Sequence, residues 1–323
     1  MIIVTGGAGF IGSNIVKTLN EQGIEDILIV DDLKCGTNFK NLIGLKYFDY
    51  RHKDDFLRDI EEGLYEGATI DAVFHEGACS DTMEYDCNFM MATNYEYSKT
   101  VLHFCLDHRI PFLYASSAST YGSGKNGFRE GDECEDALNI YAFSKLTFDR
   151  YVRKLLPEAK SQVVGLKYFN VYGPQEHHKG KMASIVYQLY NQVKNNGHVK
   201  LFKGIDGYAD GEQLRDFVYV KDLVKVNLWF WQNNGPSGIY NCGTGKANTF
   251  KAVAEAVINY MGKGHIEYVD FPEILRGKYQ NYTEADLTKL LNAGYDQGFH
   301  KLEDAVYEYC QFLDKGGYFT YEK

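Results

Sequence analysis

Ile2-Ile3-Val4-Thr5-Gly6-Gly7-Ala8-Gly9-Phe10-Ile11-Gly12 decides the fold. A short β-branched run leads directly into glycines that fit Gly-x-Gly-x-x-Gly from Gly7 and Gly-x-x-Gly-x-x-Gly from Gly6. One glycine permits a tight turn, another lets the backbone approach a pyrophosphate, and Gly12 lets the following helix pack on the strand. The phosphate then lies at a helix N-terminus, where free N–H groups and the helix dipole favour negative charge. Asp31 closes the next apolar run, Ile27 to Val30, where a carboxylate can accept from a ribose hydroxyl. Asp31 and Asp32 suit an unphosphorylated ribose, whereas Lys34 or Lys53 can hold a 2′-phosphate, so this stretch alone leaves NAD and NADP open.

Working outward, short apolar runs alternate with longer segments of helical period. Ile2–Val4, Ile27–Val30, Ala72–Phe74, Pro111–Ala115 and Val163–Leu166 read as strands buried on both faces. Phe10 to about Glu21, Asn88 to Leu106 and Ile140 to Leu156 read as crossover helices. The expectation is an α/β Rossmann fold, a doubly wound parallel sheet, over residues 1–169. A smaller substrate lobe is expected over residues 170–323. Asp216–Val220 and Ile239–Asn241 look like strands able to return to the first domain, so no clean cut is expected.

The composition of the 323 residues is that of an ordinary globular protein, with 45% hydrophobic and 24% charged residues. A formal net charge of −10 argues against nucleic acid as a partner, because a duplex binder needs a concentrated basic face. The seven cysteines are scattered, without Cys-x-x-Cys or zinc-finger spacing, and read as reduced thiols rather than metal ligands. No apolar run approaches the roughly 20 residues of a membrane span, and the first strand leaves no room for a signal peptide. A cytoplasmic location follows as an expectation.

A tyrosine four residues before a lysine puts both side chains on one helix face, where the ammonium can lower the phenol's pKa and ready it as a base. Among 26 tyrosines this spacing occurs at Tyr95/Lys99, Tyr121/Lys125, Tyr141/Lys145 and Tyr190/Lys194. Tyr121/Lys125 encloses two glycines and a serine and reads as a turn, and Tyr95/Lys99 and Tyr190/Lys194 read as solvated helix faces. Tyr141/Lys145 opens a helix and follows the pair Ser116-Ser117 at the end of a strand, where ligands of open parallel sheets bind. Ser117, Tyr141 and Lys145 are therefore the expected catalytic triad, with Ser117 polarising the carbonyl or alcohol on which Tyr141 acts.

These residues resemble the extended short-chain dehydrogenase/reductase family over essentially the whole chain. The resemblance is carried by Thr5 to Gly12, Asn94, Ser117, Tyr141-Ala142-Phe143-Ser144-Lys145 and Tyr168-Phe169-Asn170-Val171-Tyr172-Gly173-Pro174. Finer features resemble the branch that inverts C6 of an ADP-linked heptose on the way to lipopolysaccharide core. They are His75-Glu76-Gly77-Ala78-Cys79-Ser80, His178-Lys179-Gly180 with Met182-Ala183-Ser184, Arg215 to Val220, and Gly277-Lys278-Tyr279-Gln280. That resemblance implies an isomerase, an NADP-dependent nucleotide-sugar epimerase with an ADP-heptose substrate, and a homo-oligomer. Hydride would leave C6 and return to the other face of the ketone, with Lys179 as a second proton-transfer group beside Tyr141.

The resemblance further implies cofactor contacts from Gly6, Gly9, Phe10, Ile11, Gly12, Asp31, Asp32, Lys53, Glu76, Gly77, Ala78, Cys79, Ser80, Asn94, Tyr141, Lys145, Val171 and Lys179. For the sugar nucleotide it implies Ser117, Asn170, Lys181, Gln188, Phe202, Lys203, Gly204, Ile205, Arg215 and Tyr279. Arg215 also has a physical case, since a guanidinium fork grips a pyrophosphate bidentately; the plain alternative is a salt bridge to Asp216 or Glu212. The sequence departs from the branch at several points. Asn38 stands where a lysine for the 2′-phosphate is common, Lys181 replaces a small hydroxyl residue, Gln188 replaces a histidine, and Ile205 to Gln213 is longer. A UDP-hexose 4-epimerase is the nearest rival reading, because fold and triad alone do not choose the sugar. A 4,6-dehydratase is disfavoured, since Ser117 is followed by Ala118 and Ser119 rather than an acidic pair.

Overall fold

The computed structural model describes residues 1–34, 36–273 and 280–321. In chain order the strands are β1 (Ile2–Thr5), β2 (Ile27–Asp31), β3 (Asp49–His52), β4 (Ala72–His75), β5 (Phe112–Ser117), β6 (Val163–Tyr168), β7 (Asn170–Tyr172), β8 (Val199–Phe202), β9 (Leu214–Arg215), β10 (Phe217–Tyr219), β11 (Gly238–Cys242), β12 (Asn248–Thr249) and β13 (Ile266–Val269). The helices are α1 (Phe10–Glu21), α2 (Lys53–Glu61), α3 (Cys87–Met91), α4 (Tyr97–Asp107), α5 (Ile140–Leu155), α6 (Ile185–Asn196), α7 (Val220–Gln232), α8 (Phe250–Met261), α9 (Thr288–Asn292) and α10 (Leu302–Asp314).

Seven strands form one parallel sheet in the order β11-β6-β5-β4-β1-β2-β3. This is the doubly wound α/β arrangement, with a crevice at the strand C-termini where the order reverses beside β1. β1, β4 and β6 are buried throughout, which is why Ile2–Val4, Ala72–Phe74 and Val163–Leu166 read as apolar runs. One apolar cluster lies under α1 and α7 on one face, and a second lies under α2, α4 and α5 on the other. A third joins α6, α8 and α10 beyond the sheet, with the pair β8/β13 at its margin.

Several elements differ from the sequence reading. The expected helix Asn88–Leu106 is α3 and α4 joined by a π-helical turn, Ala92–Glu96, whose buried Asn94 points inward. The expected strand Asp216–Val220 is the short β10, which pairs with β7 outside the main sheet, and Val220 opens α7. Ile239–Asn241 does return to the main sheet as the core of β11, alongside β6. β3 was not read at all: Asp49-Tyr50-Arg51-His52 forms an edge strand and shows no apolar alternation. Among the described residues, no helix is long and apolar enough to cross a membrane.

Candidate active site

The glycine turn joins β1 to α1, and its geometry demands glycine at defined points. Gly6 has φ of +67°, and a Cβ there would stand 2.7 Å from the Gly77 nitrogen. A Cβ on Gly12 would press into the Gly6 carbonyl oxygen, so helix and turn approach as closely as backbones can. α1 starts after Gly9 with no side-chain cap, which leaves its first N–H groups directed at the crevice. Asp31 ends β2 beside this turn, and its carboxylate accepts from the backbone N–H of Ala8 at 2.9 Å and of Asp32 at 2.8 Å. Burial nevertheless pushes its carboxyl above the usual range. These residues fit a dinucleotide: the cradle would be filled by a single Cβ, and the helix terminus is open to an anion.

The turn opens into a cleft of about 1480 Å³. Gly6, Gly9, Phe10, Ile11, Gly12, Asp31, Asp32 and Lys53 line its first part. Glu76, Gly77, Ala78, Cys79 and Ser80 line it at the end of β4. Asn94 stands behind that segment and fixes it, accepting from Cys79 N–H at 2.8 Å and donating to the Cys79 carbonyl at 2.9 Å. The π-turn supplies the extra residue that aims this side chain. Lys53 is engaged with Asp54 at 2.6 Å, and Asn38 is buried on the cleft wall with its amide oxygen unpartnered among the described residues.

β5 and α5 build the centre of the site. Alternation along a strand sends adjacent side chains to opposite faces, so Ser116 turns inward and Ser117 turns to the cleft. Tyr141, Lys145 and Asp149 are four residues apart and form one stripe along α5. That stripe meets β5 in register. Tyr141 is hydrogen-bonded with Ser117, Lys145 Nζ donates to the Ala115 carbonyl at 2.8 Å, and Asp149 accepts from Ser116 at 2.6 Å and from Tyr114 at 2.9 Å. Asn139 caps the helix by accepting from Ala142 N–H.

The electrostatics differ from the expectation that Lys145 lowers the Tyr141 phenol. Burial dominates and pushes Tyr141 up, and its bond with Ser117 opposes this. Lys145 itself is pulled down to about 8 by burial, against the attraction of Glu76 and Asp149. Glu76 is pushed up to about 7 by burial, against the hydrogen bond from Tyr168 at 2.9 Å and the pull of Lys145. A lysine and a carboxyl that both titrate near neutrality thus share the cleft with a tyrosine and a serine, a set suited to proton transfer.

Lys179 reaches the same cleft from a different element, the strap of residues 174–184 after β7. Its ammonium lies 5.4 Å from the centre of the Phe10 ring, and burial lowers its pKa against the attraction of Glu176. Asn170, Val171, Gln188 and Phe202 also line the cleft. Lys181, Lys203, Gly204, Ile205 and Arg215 do not. Lys181 is exposed, Lys203 is paired with Asp270 at 2.8 Å, and the Gly204 N–H is held by Asp210. Arg215 is buried with its guanidinium over the Phe250 ring, and the Asp216 carboxylate accepts from the backbone of Thr244, Gly245 and Ala285. Gly277, Lys278 and Tyr279 lie outside the described residues.

The three other Tyr/Lys pairs keep away from the cleft. Lys99 sits over the Tyr95 ring and pairs with Glu96, Lys125 pairs with Asp136, and Lys194 sits over Tyr190. Sequence reasoning missed the buried charges behind the triad. Lys167, fully buried in β6, contacts Asp149 at 2.6 Å and Glu135 at 3.0 Å, and Arg153 pairs with Glu135. A lysine following Val163-Val164-Gly165-Leu166, and an aspartate one turn past Lys145, were the available signals.

The chain belongs to the NAD dependent epimerase/dehydratase family, which it matches over residues 2–243. Among solved structures it is similar to the ADP-L-glycero-D-manno-heptose-6-epimerase of Helicobacter pylori, at 31% identity over 97% of this chain and 96% of that one, with a TM-score of 0.84. It is also similar to the UDP-glucose 4-epimerase of Thermotoga maritima, solved with UDP-glucose, at 25% identity over 98% and 99% with a TM-score of 0.82. The UDP-glucose 4-epimerase of Thermus thermophilus, solved with NAD, matches at 26% identity over 97% and 98% with a TM-score of 0.77. The class is thus a nucleotide-sugar epimerase or dehydratase that uses a nicotinamide cofactor.

Proposed function

We propose that this protein inverts C6 of an ADP-linked heptose, interconverting the D-glycero and L-glycero forms for lipopolysaccharide core precursors. The observation that carries the reading is a pair of proton-transfer groups, Tyr141 and Lys179, brought to one cleft by separate elements. An epimerase returns hydrogen to the face opposite the one it left, so the sugar turns within the site, and a proton donor at a second position serves the turned carbonyl. A dehydrogenase working on one face needs only one. The higher identity to the heptose epimerase than to the UDP-glucose enzymes supports the choice of sugar.

The glycine turn, Asp31 and Asp32 would hold the dinucleotide, which when bound supplies the hydride chemistry. Ser117 and Tyr141 orient the C6 oxygen, Tyr141 moves its proton, and Lys145, held on the Ala115 carbonyl and lowered to about 8 by burial, can take up or return a proton in the same cleft. Lys179 serves the other orientation. For the cofactor we favour NADP, with Lys34 and Lys53 on the wall near Asp32. Asn38 on the same wall brings no positive charge to a 2′-phosphate, a weaker grip than a lysine gives, so NAD is expected to compete. A homo-oligomer is part of the same reading.

The test is to incubate the purified protein with ADP-D-glycero-β-D-manno-heptose and follow the sugar by proton NMR, first without added cofactor and then with NADP or NAD. Accumulation of the L-glycero epimer is expected. Turnover of UDP-glucose to UDP-galactose with the heptose left untouched would transfer the assignment to a UDP-hexose 4-epimerase.

A further inference from the structure

The strap that carries Lys179 is closed on itself by one residue and tied to the glycine turn by others. Glu176 does the closing: its buried carboxylate accepts from Gly173 N–H just before the strap and from the Ser184 backbone and hydroxyl at its end. The ties come from two asparagines. Asn14 on α1 donates to the carbonyls of Phe10 at 2.8 Å and Pro174 at 3.0 Å. Asn41 is fully buried at the end of the 3-10 turn Asn38–Asn41 and lies in the segment between β2 and β3.

The Asn41 amide nitrogen lies 2.9 Å from the Ala8 carbonyl oxygen, 3.1 Å from that of Gln175, and 3.2 Å from His178 Nδ1. Two of these neighbours are carbonyl oxygens, which only accept, so the amide must present its nitrogen to them. Gln175 answers by donating its own amide to the Asn41 carbonyl at 3.1 Å. Two segments distant in sequence thus converge on a side chain from a third: the glycine turn at Ala8, and the strap at Gln175 and at His178, the neighbour of Lys179. Gln175 is itself held at φ of +76°, a left-handed conformation that a non-glycine residue keeps only when its surroundings fix it. The Asn41 amide oxygen has no partner among the described residues. An unpaired buried oxygen costs stability, so the amide is not explained by stability alone.

We propose that Asn41 is a positioning residue that locks the Lys179 strap to the glycine turn, holding the Lys179 ammonium over Phe10 at the head of α1. The inference rests on Lys179 being the second proton-transfer group. Asn41 touches neither sugar nor reacting atoms and acts only through the strap. Asn41→Asp is the sharpest perturbation, because it keeps the shape while setting a carboxylate oxygen against two carbonyl oxygens.

The test compares Asn41→Ala, Asn41→Asp, Lys179→Ala and the Asn41→Ala/Lys179→Ala pair in two ways. One is kcat and KM for ADP-heptose epimerisation; the other, in the wild type and the variants that keep Lys179, is the rate at which an acylating reagent labels Lys179, read by peptide mass mapping. A misplacement of about 1 Å costs on the order of 10²-fold in rate, so Asn41→Ala should lose about that in kcat, with KM changed less than threefold. Asn41→Asp should lose more, Lys179 should label faster in both, and Asn41→Ala should add no loss in the Lys179→Ala background. A folded Asn41→Ala enzyme with kcat within threefold of wild type and unchanged Lys179 labelling would overturn the proposal. If Lys179→Ala keeps full activity, the Lys179 reading fails by itself, and the labelling rates still decide whether Asn41 holds the strap. Should Asn41→Ala not fold, Gln175→Ala cuts the same connection from the strap side and is read in the same two ways.

Discussion

Glu76 is a carboxyl just after β4 with one oxygen bonded to Tyr168, the other unpartnered among the described residues, and Lys145 as a positive charge acting on it. Burial raises it to about 7 from an ordinary value of 4.5, so the folded protein prefers it protonated. A raised folded pKa stabilises fully below the unfolded pKa and loses that stabilisation as pH rises through the folded one. The window is therefore about pH 4.5 to 7, and the contribution is on the order of 3 kcal/mol. Lys145 shifts in the opposite sense, and its window lies higher, from about 8 to 10.5. Glu76→Gln stays neutral throughout. Urea midpoints at pH 5 and pH 8 should show the wild type losing stability relative to Glu76→Gln; parallel behaviour would mean that Glu76 is already ionised at pH 5. At this scale the sequence was legible where a motif fixes backbone geometry, as at Gly6 and Gly12. Glu76 was named for the cleft, but its raised pKa was not legible, nor were the roles of Asn41 and Asp149, because their surroundings come from segments far away in the chain.

The stripe Tyr141-Lys145-Asp149 gives α5 two functions in one face, the first two positions toward the cleft and the third into a buried network. Asp149 accepts from Tyr114, Ser116 and Lys167, and Lys167 also reaches Thr120 and Glu135. The network therefore fixes α5 against β5 and β6, and with them the register of Tyr141 on Ser117. Removing one partner of a buried ion pair leaves the other uncompensated and costs about 3–5 kcal/mol. Lys167→Met should lower the melting temperature by about 10 °C, and Lys167→Met combined with Asp149→Asn should recover part of it, both read by calorimetry. A Lys167→Met protein that melts within a degree or two of wild type would show the network to be slack. Helical and strand periods revealed α1, α5 and the inner strands. They did not reveal β3, a polar edge strand held by pairing with β2, or the π-turn around Asn94, whose inward turn depends on Cys79.

The molecule is not simply a cofactor domain followed by a sugar lobe, because the chain leaves the sheet after β6 and comes back. β11 pairs with β6 over five residues, from Gly238 beside Val164 to Cys242 beside Tyr168. The return is reinforced outside the ladder: Gln162 donates to the carbonyls of Phe230 and Gly235, and the Ser237 hydroxyl accepts from Val163 N–H. α7, which precedes β11, packs with α1 in the same apolar cluster, and its Trp231 lies edge-on to Phe74 of β4. A fragment ending at Phe169, the expected boundary of the first domain, would turn β6 from an inner strand into an edge. All six of its residues are buried in the whole protein, and such an edge offers unpaired backbone groups on an apolar ribbon. The 1–169 fragment is therefore expected to elute as aggregates on gel filtration and to show no cooperative thermal transition. A monomeric fragment that melts cooperatively and still binds the dinucleotide would mean that the first six strands are a folding unit without β11, and that the later segment only completes the cleft.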